Sequence, residues 1–199
     1  MSAIEPFLVP GTREIDIAIV IKRLALAHGC RHMAFETLVA SGVRSAYPHG
    51  KPTQKKLRDG DLVFIDFGVK VNGYCSDITR TFVVGKPTTK QKKIMAIVKE
   101  AQRRAIAKVK AGALIADVDL AARDYIQRFR LEKYFVHSTG HGVGKRVHVK
   151  PRVHFKTEGK LKAGEIITIE PGIYIKGWGG VRIEDMVRVE ANGCKILGE

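Results

Sequence analysis

Residues Leu57–Gly68 and Leu161–Gly172 follow one pattern of glycines, acids and apolar residues, offset by a constant 104 positions. Gly60 matches Gly164, Asp61 matches Glu165, Asp66 matches Glu170 and Gly68 matches Gly172. The match runs on through Gly73/Gly177 to Tyr74/Trp178, and after a further three-residue offset Asp77 answers to Glu184. A chain duplicated in this way is expected to fold as two related halves. A pseudo-two-fold axis between them would bring Asp66, Asp77, Glu170 and Glu184 to one place. Four carboxylates do not share a site unless cations neutralise them, so the repeat points to a metal centre.

A length of 199 residues suits one domain with a sizeable core. The apolar run from Ile15 to Ala27 is broken by Asp16, Lys22 and Arg23, which excludes a membrane span or signal peptide there. Cys30, Cys75 and Cys194 are odd in number and form no CxxC pair, the usage of a reducing cytoplasm. The net charge of +15 is compatible with nucleic acid or a ribosome surface. That partner is not favoured, because no basic block is long enough or interleaved with enough aromatics.

Periodicity and breakers predict a helix over 12–28, stopped by Gly29, and a short strand over 35–40. A Gly/Pro-rich loop holding His49 spans 41–52. Strands follow at 62–66 and 74–84, joined through the hairpin signal Asn72-Gly73. Helices over 88–110 and 116–129 precede further strands at 144–149, 166–170 and 181–189. This order gives an α+β fold, with helices covering one face of a mainly antiparallel sheet, and residues 1–199 are read as a single domain.

Asp66 ends one strand and Asp77 lies on the next, so both are expected to reach one ion; Glu170 and Glu184 repeat the arrangement. His141, flanked by glycines in Ser138–Gly144, is the remaining ligand candidate. His137 and His141 have zincin spacing, but no Glu follows the first and the glycines oppose a helix. Four carboxylates and one imidazole suit two divalent ions such as Mn²⁺, Co²⁺, Zn²⁺ or Fe²⁺. The chemistry expected of such a pair is hydrolysis by a hydroxide shared between the ions.

The stretches Ile65–Gly68, Gly73–Thr81, Ser138–Gly144, Ile169–Gly172 and Val181–Asp185 resemble the pita-bread metallopeptidases, closest to the Xaa-Pro branch of prolidase and aminopeptidase P. That fold is itself an internally duplicated α+β unit. The resemblance implies Asp66, Asp77, His141, Glu170 and Glu184 as ligands, with Asp77 and Glu184 bridging. It implies that Glu170 also shuttles the proton, and that His49, His137 and His148 line the substrate pocket and stabilise the tetrahedral intermediate. Arg182 would hold the carboxylates and contact substrate. The implied substrate is a peptide with proline at its second position, the protein is cytoplasmic with no membrane partner, and a homodimer is allowed. Trp178 is expected to be structural and Cys75 a small buried thiol. His28, His32 and His154 fall outside the motifs.

Two features depart from the family pattern. Full-length Xaa-Pro peptidases carry an N-terminal domain that the resemblance leaves outside the expected single domain over 1–199, and Val149 follows His148 where an acid is usual. Two further readings compete with an Xaa-Pro exopeptidase. A methionine aminopeptidase-like enzyme shares the ligands, yet Arg182-Ile183-Glu184-Asp185-Met186 is of the Xaa-Pro style. A non-catalytic peptide- or RNA-binding module would be expected to have lost ligands.

Overall fold

The computed structural model describes residues 1–198. The first half opens with helix α1, Glu14–Ala27. It starts two residues later than the expected 12–28 span: Arg13 is the N-cap, and the Asp16 carboxylate accepts from the Arg13 N–H. Strands β1 (His32–Met33), β2 (Leu38–Ser41), β3 (Leu62–Phe67), β4 (Val69–Val71), β5 (Tyr74–Cys75) and β6 (Ile78–Val83) follow. A 3-10 turn, Gly42–Ala46, occupies part of the expected loop. Asn72 and Gly73 both have positive φ, 51° and 83°, as a two-residue hairpin between β4 and β5 requires.

Helix α2 (Thr89–Ile106) starts at a capping box: the Gln91 N–H donates to Thr88 Oγ1, and Gln91 Oε1 accepts from the Thr88 N–H. Helix α3 (Ile115–Gln127) packs beside it. The second half then adds β7 (Gly140–Gly142), β8 (Val149–Val153), β9 (Ile166–Ile169), β10 (Gly172–Ile175), β11 (Gly179–Arg182), β12 (Asp185–Glu190) and β13 (Gly193–Leu197).

All strand pairs among the described residues are antiparallel. The two main sheets run in the orders β2-β3-β6 and β13-β12-β9-β7-β8. Helices α2 and α3 cover the larger sheet, burying Ile94, Val98, Ala101 and Val118 against Ile167, Ile169 and Val187. Helix α1 covers the smaller one, with Ile17 and Ile21 against Val39, Val63 and Ile65. The halves meet where β6 passes the turn after β11: the Glu184 N–H donates to Thr79 O at 3.0 Å, and Thr81 Oγ1 donates to Arg182 O at 2.8 Å.

Three expected strands change. The span 74–84 divides into β5 and β6, and 181–189 into β11 and β12; the breaks fall at Ser76-Asp77 and Ile183-Glu184. Each break leaves an acid, Asp77 or Glu184, between named strands, and both line one cavity. The strand expected at 144–149 is instead a bent connection between β7 and β8. Gly140 and Gly142 are the residues that pair there, because their backbones lie against the Thr168 and Lys150 carbonyls where a Cβ would not fit.

Candidate metal centre and active site

Asp66 is the fifth residue of β3, and its cross-strand partner on β6 is Thr79 rather than Asp77. Asp77 sits one residue before β6, so it approaches Asp66 diagonally. In the second half Ile169 pairs with Asp185, which sets Glu170 and Glu184 just beyond the ends of β9 and β12. His141 enters from the middle of β7, where its N–H donates to Thr168 Oγ1 at 3.0 Å. The five side chains expected as ligands line one cavity of about 240 Å³, together with His49, His148 and Arg182. Ligand atoms of Asp77, His141 and Glu184 lie within 4.8 Å of one another.

The polar geometry of this cluster is incomplete without a cation. His141 Nδ1 lies 3.0 Å from Gly142 O, so that nitrogen carries the proton and donates. Its Nε2 therefore presents a lone pair, 3.4 Å from Glu170 Oε1 and 3.6 Å from Asp77 Oδ2. Burial lowers the pKa of His141, which keeps the ring neutral. A lone pair aimed at two carboxylate oxygens is repulsive unless a proton or a positive ion lies between them. Asp66 Oδ1 is likewise buried with no hydrogen-bond partner. The donor set fits divalent cations.

The acids respond as crowding in low dielectric demands. Burial, reinforced by the charges of Asp66 and Glu170, pushes Asp77 up to about 8. Burial pushes Glu170 up to about 7 and raises Asp66. Glu184 rises well above its ordinary range through burial and then through Glu170, Asp77 and Asp66. One fixed cation holds the cluster. Arg182, only 3% exposed, donates to Asp66 Oδ2 at 2.6 Å, Thr79 Oγ1 at 3.1 Å, Tyr174 Oη at 3.0 Å and Pro48 O at 2.9 Å. Burial opposes its charge, but Tyr174 and the surrounding acids outweigh that and raise its pKa.

A wider outer cavity of about 550 Å³ adjoins the acids, lined by His49, His137, His148, Arg146, Lys150 and Arg152. The rings of His148 and His141 lie 4.0 Å apart, centroid to centroid. His137 is held differently. Its Nδ1 donates to Ser138 O at 2.8 Å, and its Nε2 accepts from Tyr174 Oη at 2.9 Å. Both ring nitrogens are thus engaged, and burial depresses its pKa to about 3.

Tyr174 is a site residue that the sequence reading missed; four residues past Glu170 in a β-strand, it carries no motif of its own. Asp119 and Arg123 of α3 were missed as well. Asp119 Oδ1 accepts from the Thr139 N–H and Oγ1, and Arg123 donates to the carbonyls of Phe135 and His137. Their i, i+4 spacing reads as an ordinary helix pair. Of the remaining expectations, Trp178 is half-buried against the larger core with the Lys90 ammonium 4.7 Å from its ring. Cys75 is half-buried rather than buried, and all three cysteines are free.

A duplicated antiparallel α+β scaffold with four carboxylates and an imidazole gathered at one cavity is the arrangement expected of the pita-bread fold. The profile of metallopeptidase family M24 matches residues 1–191, and the chain belongs to that family. It is 48% identical over 197 residues to the Xaa-Pro dipeptidase of Pyrococcus furiosus, covering 99% of this chain and 56% of that protein. The solved prolidase from Pyrococcus furiosus superposes with a TM-score of 0.97 at 46% identity, over 100% of this chain and 59% of that one. The X-Pro aminopeptidase from Thermotoga maritima superposes with a TM-score of 0.92 at 41% identity, over 94% and 53% respectively. The chain therefore spans just over half the length of the relatives it matches. No helix among the described residues is long and apolar enough to cross a membrane.

Proposed function

We propose that this chain carries a two-cation exopeptidase site that hydrolyses Xaa-Pro peptide bonds, with residues 1–199 acting as one catalytic unit in the cytoplasm. The observation that carries the metal reading is the neutral His141 Nε2 facing Glu170 and Asp77 at 3.4 and 3.6 Å, beside a buried Asp66 Oδ1 that has no hydrogen-bond partner. Asp66, Asp77, His141, Glu170 and Glu184 would hold two ions of the Mn²⁺, Co²⁺, Zn²⁺ or Fe²⁺ type. When bound, such a pair supplies an activated water and polarises the carbonyl under attack.

The protein's own groups do the rest. Glu170 lines both cavities, so one carboxylate reaches the attacking water and the leaving nitrogen, taking a proton from the first and giving it to the second. His49 and His148 border the same opening and offer donors to the oxyanion. His137, with both nitrogens engaged, orients Tyr174 and through it Arg182. Arg146, Lys150 and Arg152 form a cationic rim over an acidic floor. That rim suits a short substrate whose free carboxylate lies close to the scissile bond. Proline specificity rests on similarity to Xaa-Pro dipeptidases; its imide nitrogen carries no N–H and its φ is fixed, so a dedicated pocket is needed.

The test is hydrolysis of an Xaa-Pro dipeptide, an Xaa-Pro tripeptide and a Met-Ala-Ser peptide by Mn²⁺-loaded and chelator-stripped protein. Metal-dependent release of proline from the dipeptide is expected. Cleavage of the Met peptide alone would move the activity to the methionine branch. No turnover of any peptide by protein with Mn²⁺ bound would favour a binding role.

A further inference from the structure

Gln102 is a polar residue on an otherwise apolar stripe of α2, between Val98, Ala101 and Ala105, and is 6% exposed. Its Nε2 donates to Ile169 O at 3.1 Å and to Asp185 Oδ2 at 2.8 Å. Ile169 and Asp185 are cross-strand partners on β9 and β12. One immediately precedes Glu170 and the other immediately follows Glu184. A single amide therefore spans the backbone and side chain next to both glutamates of the acid cluster. From the other half of the molecule, Arg80 on β6 pairs with Asp185 Oδ1 and donates to the carbonyls of Glu184 and Thr79. Asp185 is thus gripped on one oxygen by Arg80 and on the other by Gln102.

We propose that Gln102 is a positioning residue of the metal centre, fixing the separation of Glu170 and Glu184 from behind through Ile169 and Asp185. The inference rests on the two-cation reading above. Glu170 and Glu184 line the same cavity and repel each other when ionised, so the scaffold must hold them against that force. Neither Gln102 nor Arg80 borders either cavity, so their influence runs through the strands. Contacts of this kind are worth roughly 10–100-fold in metal affinity in sites where they have been removed.

The experiment is calorimetric titration of Mn²⁺ into chelator-stripped protein, comparing the parent, Gln102→Met and Ile97→Val, with urea unfolding of each in parallel. Met keeps the length of Gln and removes both donors. Ile97, also buried on α2 and 3% exposed, controls for simple loss of packing. The expected result is Mn²⁺ binding weakened about 10- to 100-fold in Gln102→Met and unchanged in Ile97→Val. Parent affinity retained in Gln102→Met, or an equal loss in Ile97→Val, would overturn the inference while leaving the two-cation reading intact. A parent that binds no Mn²⁺ would overturn that reading and this inference with it. Should Gln102→Met not fold, Arg80→Lys tests the same clamp from the other half. There, loss of Mn²⁺ affinity supports it and parent affinity overturns it.

Discussion

His137 shows how one side chain's surroundings set its chemistry. Held by Ser138 O and Tyr174 Oη and packed between the Phe135 and Tyr174 rings, it stays neutral down to about pH 3. In the unfolded chain the same imidazole titrates near 6.5. Between those values the unfolded state binds a proton that the folded state refuses, so stability is full above about 6.5 and falls as the pH drops toward 3. The expected contribution is a few kcal/mol. Urea unfolding at pH 7.5 and 4.5 should show the parent losing more stability than His137→Gln; equal losses would contradict this assignment. Arg182 makes a second prediction at this scale. Arg182→Lys keeps a charge but not the fork that serves Asp66, Thr79, Tyr174 and Pro48. A destabilisation of about 1–3 kcal/mol is expected from the buried acceptors left without a donor, read as a lowered urea midpoint.

The elements explain why some of the fold was legible in the sequence and some was not. Helices α2 and α3 follow from apolar spacing, a signal local to the chain. Strands β3 and β9 follow from apolar runs inside the repeat. The repeat also exposed Asp66, Asp77, Glu170 and Glu184, because a duplicated pattern marks equivalent positions wherever the fold sets them. The breaks at Asp77 and Glu184 were not legible, since both lie in stretches whose composition reads as continuous strand. Nor were Tyr174, Gln102 and Asp119, whose partners are reached only through tertiary packing. Gly140 gives the element-scale prediction. Its backbone lies against the Thr168 carbonyl, with no room for a Cβ, so Gly140→Ala must push β7 off β9. A loss of roughly 1–3 kcal/mol is expected, together with displacement of the His141 imidazole visible in its NMR shifts. Parent stability and unshifted resonances would contradict that account of β7.

At the scale of the whole molecule, the cluster proposed to hold metal is the joint between two sheets. Asp66 and Asp77 come from the first half, and His141, Glu170 and Glu184 from the second. Ions bound there should act on global stability, because ligands from both halves exist only in the folded state. Mn²⁺ at 100 times its dissociation constant is expected to add about 2.7 kcal/mol for each site occupied. Asp77→Asn should remove much of that gain; an Mn²⁺-independent thermal midpoint in the parent would contradict it.

A two-cation site is defined by the number of ions that the five side chains hold. Equilibrium dialysis of the purified chain against Mn²⁺, followed by elemental analysis, measures it directly. The expected result is two ions per chain, falling to one or none in Asp77→Asn. One ion or none in the parent, or two that persist when Asp77 is replaced, would contradict a dinuclear centre built from Asp66, Asp77, His141, Glu170 and Glu184.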